Sequence, residues 1–364
     1  MAVSATRSEV LAAPARAASR SLGPVRLWLY LLAALVVAMV AVGGATRLTG
    51  SGLSITEWRP VTGAIPPLSE GAWLAEFERY RASPQYRLLN QGMRLSEFQF
   101  IYWWEWAHRQ LGRFMGLAFF VPFLWFWAQG YLTRRLALAL LGIGAFGGLQ
   151  GAVGWIMVAS GLEPGMTAVA PIKLMLHLTI ASAILAALLW LATGLREGAA
   201  RSRPPVESAL RDGARVLLGL IFLQIALGGL VAGSKAGLTY NTWPLMDGQL
   251  IPPLDGLFAA APLIENFVDN VALVQLNHRL VAYLVVGFAI RHAVKARTAN
   301  PATARRAILI AALALAQMTL GIVTLLLAVP LWAGLAHQLL AMALLATAVI
   351  HLRLLANPAP LSSQ

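Results

Sequence analysis

Eight apolar stretches, each near the roughly 20 residues that cross the ~30 Å hydrocarbon core of a bilayer, leave this chain few ways to fold. They cover Leu27–Gly44, Phe100–Trp127, Leu136–Ala159, Ile172–Ala192, Val216–Gly233, Val271–Ile290, Ile308–Ala328 and Leu331–Ile350. Hydrocarbon offers no partner to a backbone N–H or C=O, so continuous apolar runs of this length predict transmembrane helices. The composition agrees: of 364 residues, 59% are hydrophobic and 12% charged, where soluble domains carry about 25% charged residues. The 28 basic against 15 acidic residues, a net charge of +13, would raise the question of nucleic acid in a soluble chain. Here the membrane accounts for it, and no nucleic-acid partner is expected. With no cysteine, disulfides, thiolate metal sites, iron–sulfur clusters and cysteine nucleophiles are excluded.

Basic residues mark one side of the membrane. Arg7, Arg16, Arg20 and Arg26 precede the first stretch, Arg134 and Arg135 lie between the second and third, and Arg196, Arg201, Arg203, Arg211 and Arg215 lie between the fourth and fifth. Arg291, Lys295, Arg297, Arg305 and Arg306 repeat the bias, whereas segment 234–270 sets Lys235 against Asp247, Asp255, Glu265 and Asp269. The positive-inside rule then predicts that both termini are cytoplasmic. Residues 1–23 lack the apolar core of a cleaved signal and read as a tail rather than an organellar transit peptide.

The chain contains itself twice. Gly43-Gly44, Gly52-Leu53-Ser54, Trp58 and Ile65-Pro66-Pro67-Leu68 recur as Gly228-Gly229, Gly237-Leu238-Thr239, Trp243 and Ile251-Pro252-Pro253-Leu254. In the same order His108-Arg109 pairs with His278-Arg279, Gln150…Gly154 with Gln317…Gly321, and His177 with His337. The fold this predicts is an all-α polytopic membrane protein, with eight transmembrane helices arranged as two four-helix bundles related by a pseudo-twofold axis along the membrane normal. The expected division is a cytoplasmic tail over 1–23, a bundle with a long outer loop over 24–195, a cytoplasmic linker over 196–213, a second bundle over 214–353 and a tail over 354–364. The first outer loop is longer by Glu70–Asn90, which reads as an amphipathic surface helix. The aromatic cluster Phe98, Phe100, Tyr102, Trp103, Trp104 and Trp106 reads as a membrane-interface belt.

His108, His177, His278 and His337 fall in stretches two, four, six and eight, each five to eight residues past the outer end, or about 8–12 Å deep at 1.5 Å per residue. A single such histidine reads equally well as an interhelical hydrogen-bonder. Four at matched positions predict two facing pairs, His108 with His177 and His278 with His337. Two imidazoles at one depth suit the axial ligation of a porphyrin iron, one heme per half; zinc would need further ligands that neither half offers. His292 and His351, beside Arg291 and Arg353 at helix ends, are expected to be solvated.

The duplication supplies its own control. Three residues before His108 stands Glu105, and three before His278 stands Gln275; five after them stand Arg113 and Tyr283. Glu105 shares a helical face with His108, so proton chemistry is expected in the amino-terminal half and electron storage or relay in the other. Alternatively Glu105 and Arg113 pair with one another or lie among headgroups. Arg109 and Arg279 suit heme propionates or snorkelling equally well.

The segments Gly-Gly-Ala-Thr-Arg-Leu-Thr-Gly-Ser-Gly-Leu-Ser (43–54), Glu-Phe-Gln-Phe-Ile-Tyr-Trp-Trp-Glu-Trp-Ala-His-Arg-Gln-Leu-Gly-Arg (97–113) and Asn-His-Arg (277–279) resemble the heme A synthase family, in its cysteine-free branch. The resemblance implies oxidation of the C8 methyl of heme O to a formyl group, giving heme A for terminal oxidases. It implies His108, His177, His278 and His337 as iron ligands and Glu105 as the functional carboxylate. It further implies heme O as substrate in the amino-terminal half and a heme b cofactor in the carboxy-terminal half, with Arg109, Arg113 and Arg279 near them. The expected setting is the lipid of a bacterial inner (cytoplasmic) membrane in preference to a mitochondrial one. Heme O synthase and oxidase assembly factors are partners implied by the pathway, and a homo-oligomer is compatible with all of this. The rival readings are a b-type transmembrane cytochrome that only moves electrons, for which Glu105 is unnecessary, and a heme carrier suggested by the repeat.

Overall fold

The computed structural model describes residues 21–195 and 208–356. Among them the chain is helical, with no strand: α1 (Gly23–Leu48), α2 (Glu70–Arg81), α3 (Pro84–Leu89), α4 (Leu95–Ala128), α5 (Arg134–Gly161), α6 (Pro171–Gly194), α7 (Ser208–Gly233), α8 (Leu254–Leu257), α9 (Val271–Ala296), α10 (Pro301–Leu326) and α11 (Leu331–Leu355). Eight of these, α1, α4, α5, α6, α7, α9, α10 and α11, are long and apolar enough to cross a bilayer, so this is a multi-pass membrane protein. Arg7, Arg16, Arg20, Arg196, Arg201 and Arg203, which carry much of the expected charge bias, lie outside the described residues, as do most of both tails and of the linker.

The helix starts follow local rules. Proline stands in the first turn of α1, α6 and α10, where a missing N–H leaves nothing unsatisfied. The side chains of Thr133, Asn270 and Asn300 accept hydrogen bonds from the first free amides of α5, α9 and α10, closing ends that would otherwise expose donors to lipid.

Within the first four spans α1 packs on α4 and α6, and α5 on α6; within the last four α9 packs on α7 and α10, and α10 on α11; the two groups meet where α6 packs on α7 and α11 and where α1 meets α11. The seam between α6 and α7 needs glycine: a Cβ on Gly229 would lie 2.8 Å from Met175 Cα, and one on Gly233 2.5 Å from Pro171 Cα. Lipid tails supply no hydrophobic force between helices, so close backbone approach and buried amides do that work. Gln338 of α11 accordingly donates to the Val40 carbonyl of α1 at 3.1 Å.

The long connections α1–α4 and α7–α9 leave the helices at one end, the loop end; α1 begins and α11 finishes at the other, the terminal end. One apolar core fills the terminal half of both groups, from Leu29 and Leu32 through Phe119, Phe123, Leu140, Leu188, Leu217 and Ile310 to Leu345 and Val349. The loop half instead carries the four histidines.

Three local expectations change. Segment 70–90 is two helices, broken where Ser83 caps α3 ahead of Pro84. Of the aromatic cluster, Phe98 and Tyr102 are buried with Phe77, Tyr80 and Tyr86 under the first loop, whereas Phe100 and Trp103 remain exposed as a belt would be. His292 and His351 are not solvated: they are 4% and 1% exposed, with Nε2 atoms 2.9 Å apart. The helical period puts His292 on the inward face with Val285, Ala289 and Ala296, and that outweighs its charged neighbour.

Candidate functional site

Each of the four histidines lies against a glycine of the preceding span. A Cβ added at Gly43, Gly154, Gly228 or Gly321 would stand 2.9, 2.9, 3.3 and 2.8 Å from Cε1 of His108, His177, His278 and His337 respectively. Any other residue would push the ring away, so glycine fixes where each imidazole sits.

Four residues before these glycines stand Met39, Gln150, Gln224 and Gln317, and they divide the halves. Gln224 Nε2 donates to the His278 carbonyl at 3.1 Å and lies 3.1 and 3.2 Å from the two ring nitrogens. Gln317 treats His337 alike, at 3.0 Å to the carbonyl and 3.2 and 3.3 Å to the ring. Gln150 reaches only the His177 carbonyl, at 2.9 Å. Met39 has no amide to offer His108. The Nδ1 atoms of His108 and His177 are buried with no hydrogen-bond partner among the described residues.

His108 and His177, on α4 and α6, are close enough for their charges to interact, as are His278 and His337 on α9 and α11. A flat ligand held through two imidazole nitrogens fits such pairs. In the amino-terminal half the buried, unpartnered nitrogens of His108 and His177 are compatible with such ligation.

Glu105 is 3% exposed and fully engaged. Its Oε2 accepts from Ser54 Oγ at 2.7 Å and from the Ile55 amide at 2.8 Å, and its Oε1 accepts from Arg109 Nη2 at 2.6 Å. Arg109 also donates to the Glu57 and Ile55 carbonyls, at 3.0 and 2.7 Å. The other half repeats the device with an amide. Gln275 donates to the Ala236 carbonyl at 2.7 Å and accepts from Arg279 at 2.9 Å, and Arg279 ties down the Tyr240, Thr242 and Leu245 carbonyls. Thus Glu105 pairs with Arg109, not Arg113, and both arginines clamp loops to helices.

Arg113 donates to the Pro60 and Arg59 carbonyls at 2.8 and 2.9 Å. Beside it a cavity of about 350 Å³ opens between the loop and α2, lined by Glu57, Arg59, Glu76, Arg79, Arg109 and Arg113 among others. Arg79, outside the spans, is held above the ordinary guanidinium range by its hydrogen bond to the Glu76 carboxylate. The loop clamp and the cavity leave no signal in the sequence, because Arg109 and Arg113 reach carbonyls more than 50 residues away. The Gly-on-His contacts and the glutamines were visible only as repeated letters, Gln150…Gly154 and Gln317…Gly321.

Residues 26–349 match the COX15-CtaA family, described as cytochrome oxidase assembly protein. The chain is 66% identical over 355 residues to a heme A synthase of Methylobacterium sp. strain 4-46, covering 96% of this chain and 98% of that one. It is 53% identical to a heme A synthase of Azorhizobium caulinodans, covering 93% and 96% of the two chains, and 49% identical to one of Beijerinckia indica, covering 93% and 95%.

Proposed function

The chain belongs to the COX15-CtaA family of cytochrome oxidase assembly proteins, and from that membership we propose that it oxidises the C8 methyl of heme O to the formyl group of heme A. The observation that carries the reading is the pair of matched imidazole couples, one flanked by a carboxylate and the other by an amide. His108 and His177 hold heme O as substrate; His278 and His337 hold heme b as cofactor.

When bound, the two porphyrin irons supply the redox chemistry, and the protein does the rest. Gly43 and Gly154 set the depth and tilt of the substrate's two ligands. The apolar core below them, Phe119 and Phe123 included, closes the site toward the terminal end and excludes water from that side. Conversion of a methyl to a formyl group releases protons, and Glu105 is the one carboxylate beside His108 on α4. All its neighbours donate hydrogen bonds to it, so it serves as the acceptor of a released proton. Arg109 couples it to the loop, so Glu105 and the Ser54–Glu57 strip are held as one unit.

The finer setting belongs to the same reading: a bacterial inner membrane, cytoplasmic termini, a substrate bundle over 24–195 and a cofactor bundle over 214–353. Its partners are a heme O synthase and oxidase assembly factors. The test is to express the chain in cells that make heme O but no heme A, and to identify extracted hemes by mass. Formyl heme appearing only with this chain is the expected result; heme O alone would return the protein to the electron-carrying class.

A further inference from the structure

The two halves differ in how their second and third spans meet. In the carboxy-terminal half α9 and α10 pack along their length, whereas α4 and α5 approach closely only over a short stretch. That stretch includes Gly144, where a Cβ would lie 2.9 Å from Phe119 and 3.4 Å from Phe120. Toward the loop end the helices part until Trp58 reaches from the loop to Trp155 of α5, with ring centroids 5.1 Å apart. Its counterpart Trp243 instead hydrogen-bonds Tyr283 of α9 at 3.0 Å. Between Gly144 and Trp155 the opening spans eleven residues, or roughly 16 Å along α5 at 1.5 Å per residue.

The residues along the opening are glycines with nothing near them. A Cβ at Gly116 of α4, or at Gly147, Gly148 or Gly151 of α5, would meet no atom within 4 Å. At the matched places in the other half stand Val286, Ala314, Leu315 and Met318. Val286 and Ala314 are buried there, and Met318 packs on the same core. Gly112 and Gly116 follow His108 at i+4 and i+8 on α4, each about 40° further round the helix, so the opening at Gly116 begins about two turns from His108.

We propose that the α4–α5 seam is a lateral portal through which heme O enters from the bilayer and the product leaves. This rests on the function proposed above, which makes the substrate a porphyrin carrying a long apolar chain. Such a molecule partitions into lipid, and a slot open to lipid at the depth of His108 spares it any passage through water. The cofactor half has no such slot, because its heme is not exchanged.

Two experiments test this on the full-length protein in lipid nanodiscs, with heme O supplied from vesicles and each heme counted by absorption and mass. The double variant Gly148→Leu, Gly151→Met gives the first seam the side chains of the second. Its expected behaviour is wild-type heme b content, which certifies folding, with heme O uptake slowed at least tenfold; uptake at the wild-type rate overturns the portal. The absence of native cysteine allows the second test. Gly148→Cys is modified with a bulky methanethiosulfonate reagent before or after loading. Modification before loading is expected to block uptake until a reductant removes the group, and modification after loading to trap heme O inside. Expulsion of loaded heme O by the reagent would make the position part of the binding site and overturn the portal. Wild-type protein that holds heme b but never takes heme O would overturn the function itself, and the portal with it; equal uptake by wild type and variants overturns the portal alone.

Discussion

At the residue scale the proposed chemistry turns on Glu105, whose charge and whose anchoring are separable because the protein already contains the neutral version. Gln275 shows that an amide at this position holds a loop through an arginine. Glu105→Gln is therefore expected to retain both hemes while heme A yield falls at least tenfold, with heme O or a partly oxidised heme accumulating on extraction. Glu105→Ala also leaves Arg109 without its buried partner, a loss of about 3–5 kcal/mol, and is expected to lower the unfolding midpoint, which Glu105→Gln does not. Full heme A yield from Glu105→Gln would remove the carboxylate from the reaction. The sequence singled out this residue through the contrast between halves. It could not show the anchoring, because Ser54 and Ile55 are distant in the chain and meet Glu105 only once α1 and α4 have packed.

At the scale of the element, glycines decide where the imidazoles sit. Gly321→Ala places a methyl 2.8 Å from His337 Cε1, so the ring must shift. The expected result is loss of most heme b from purified protein, read by reduced-minus-oxidised absorption. Gly287→Ala, on α9 in open space, is expected to change nothing. The spans themselves were legible as apolar runs, but their ends were not. Helix α4 begins at Leu95 rather than Phe100, because Glu97 accepts from the Arg94 amide at 2.8 Å and so starts the helix outside the apolar window. Helix α9 continues past Ile290 to Ala296, since hydrogen bonding carries a helix through arginines that end a hydropathy window. Likewise His292 and His351 were misplaced by their charged neighbours, when the helical period alone would have put His292 inside.

At the scale of the whole molecule, two sites share one core. Because the apolar cluster at the terminal end runs through both groups of helices, emptying one site should leave the other standing. The double variant His108→Ala, His177→Ala is expected to keep its heme b and make no heme A; loss of both hemes together would mean the sites fold as a unit. The internal repeat made the paired sites legible, yet it concealed the open seam, since a duplicated pattern invites the assumption that both copies close alike. Only the glycines of α5, standing where α10 has leucine and methionine, carried that signal. The glutamines draw the same distinction in another way. In one half an amide lies against both nitrogens of each ring; in the other neither ring has one, so a ligand that comes or goes there displaces no amide. On the proposed function, the tenant that departs each cycle is held by imidazoles without that tie, and the permanent one by imidazoles that are themselves held.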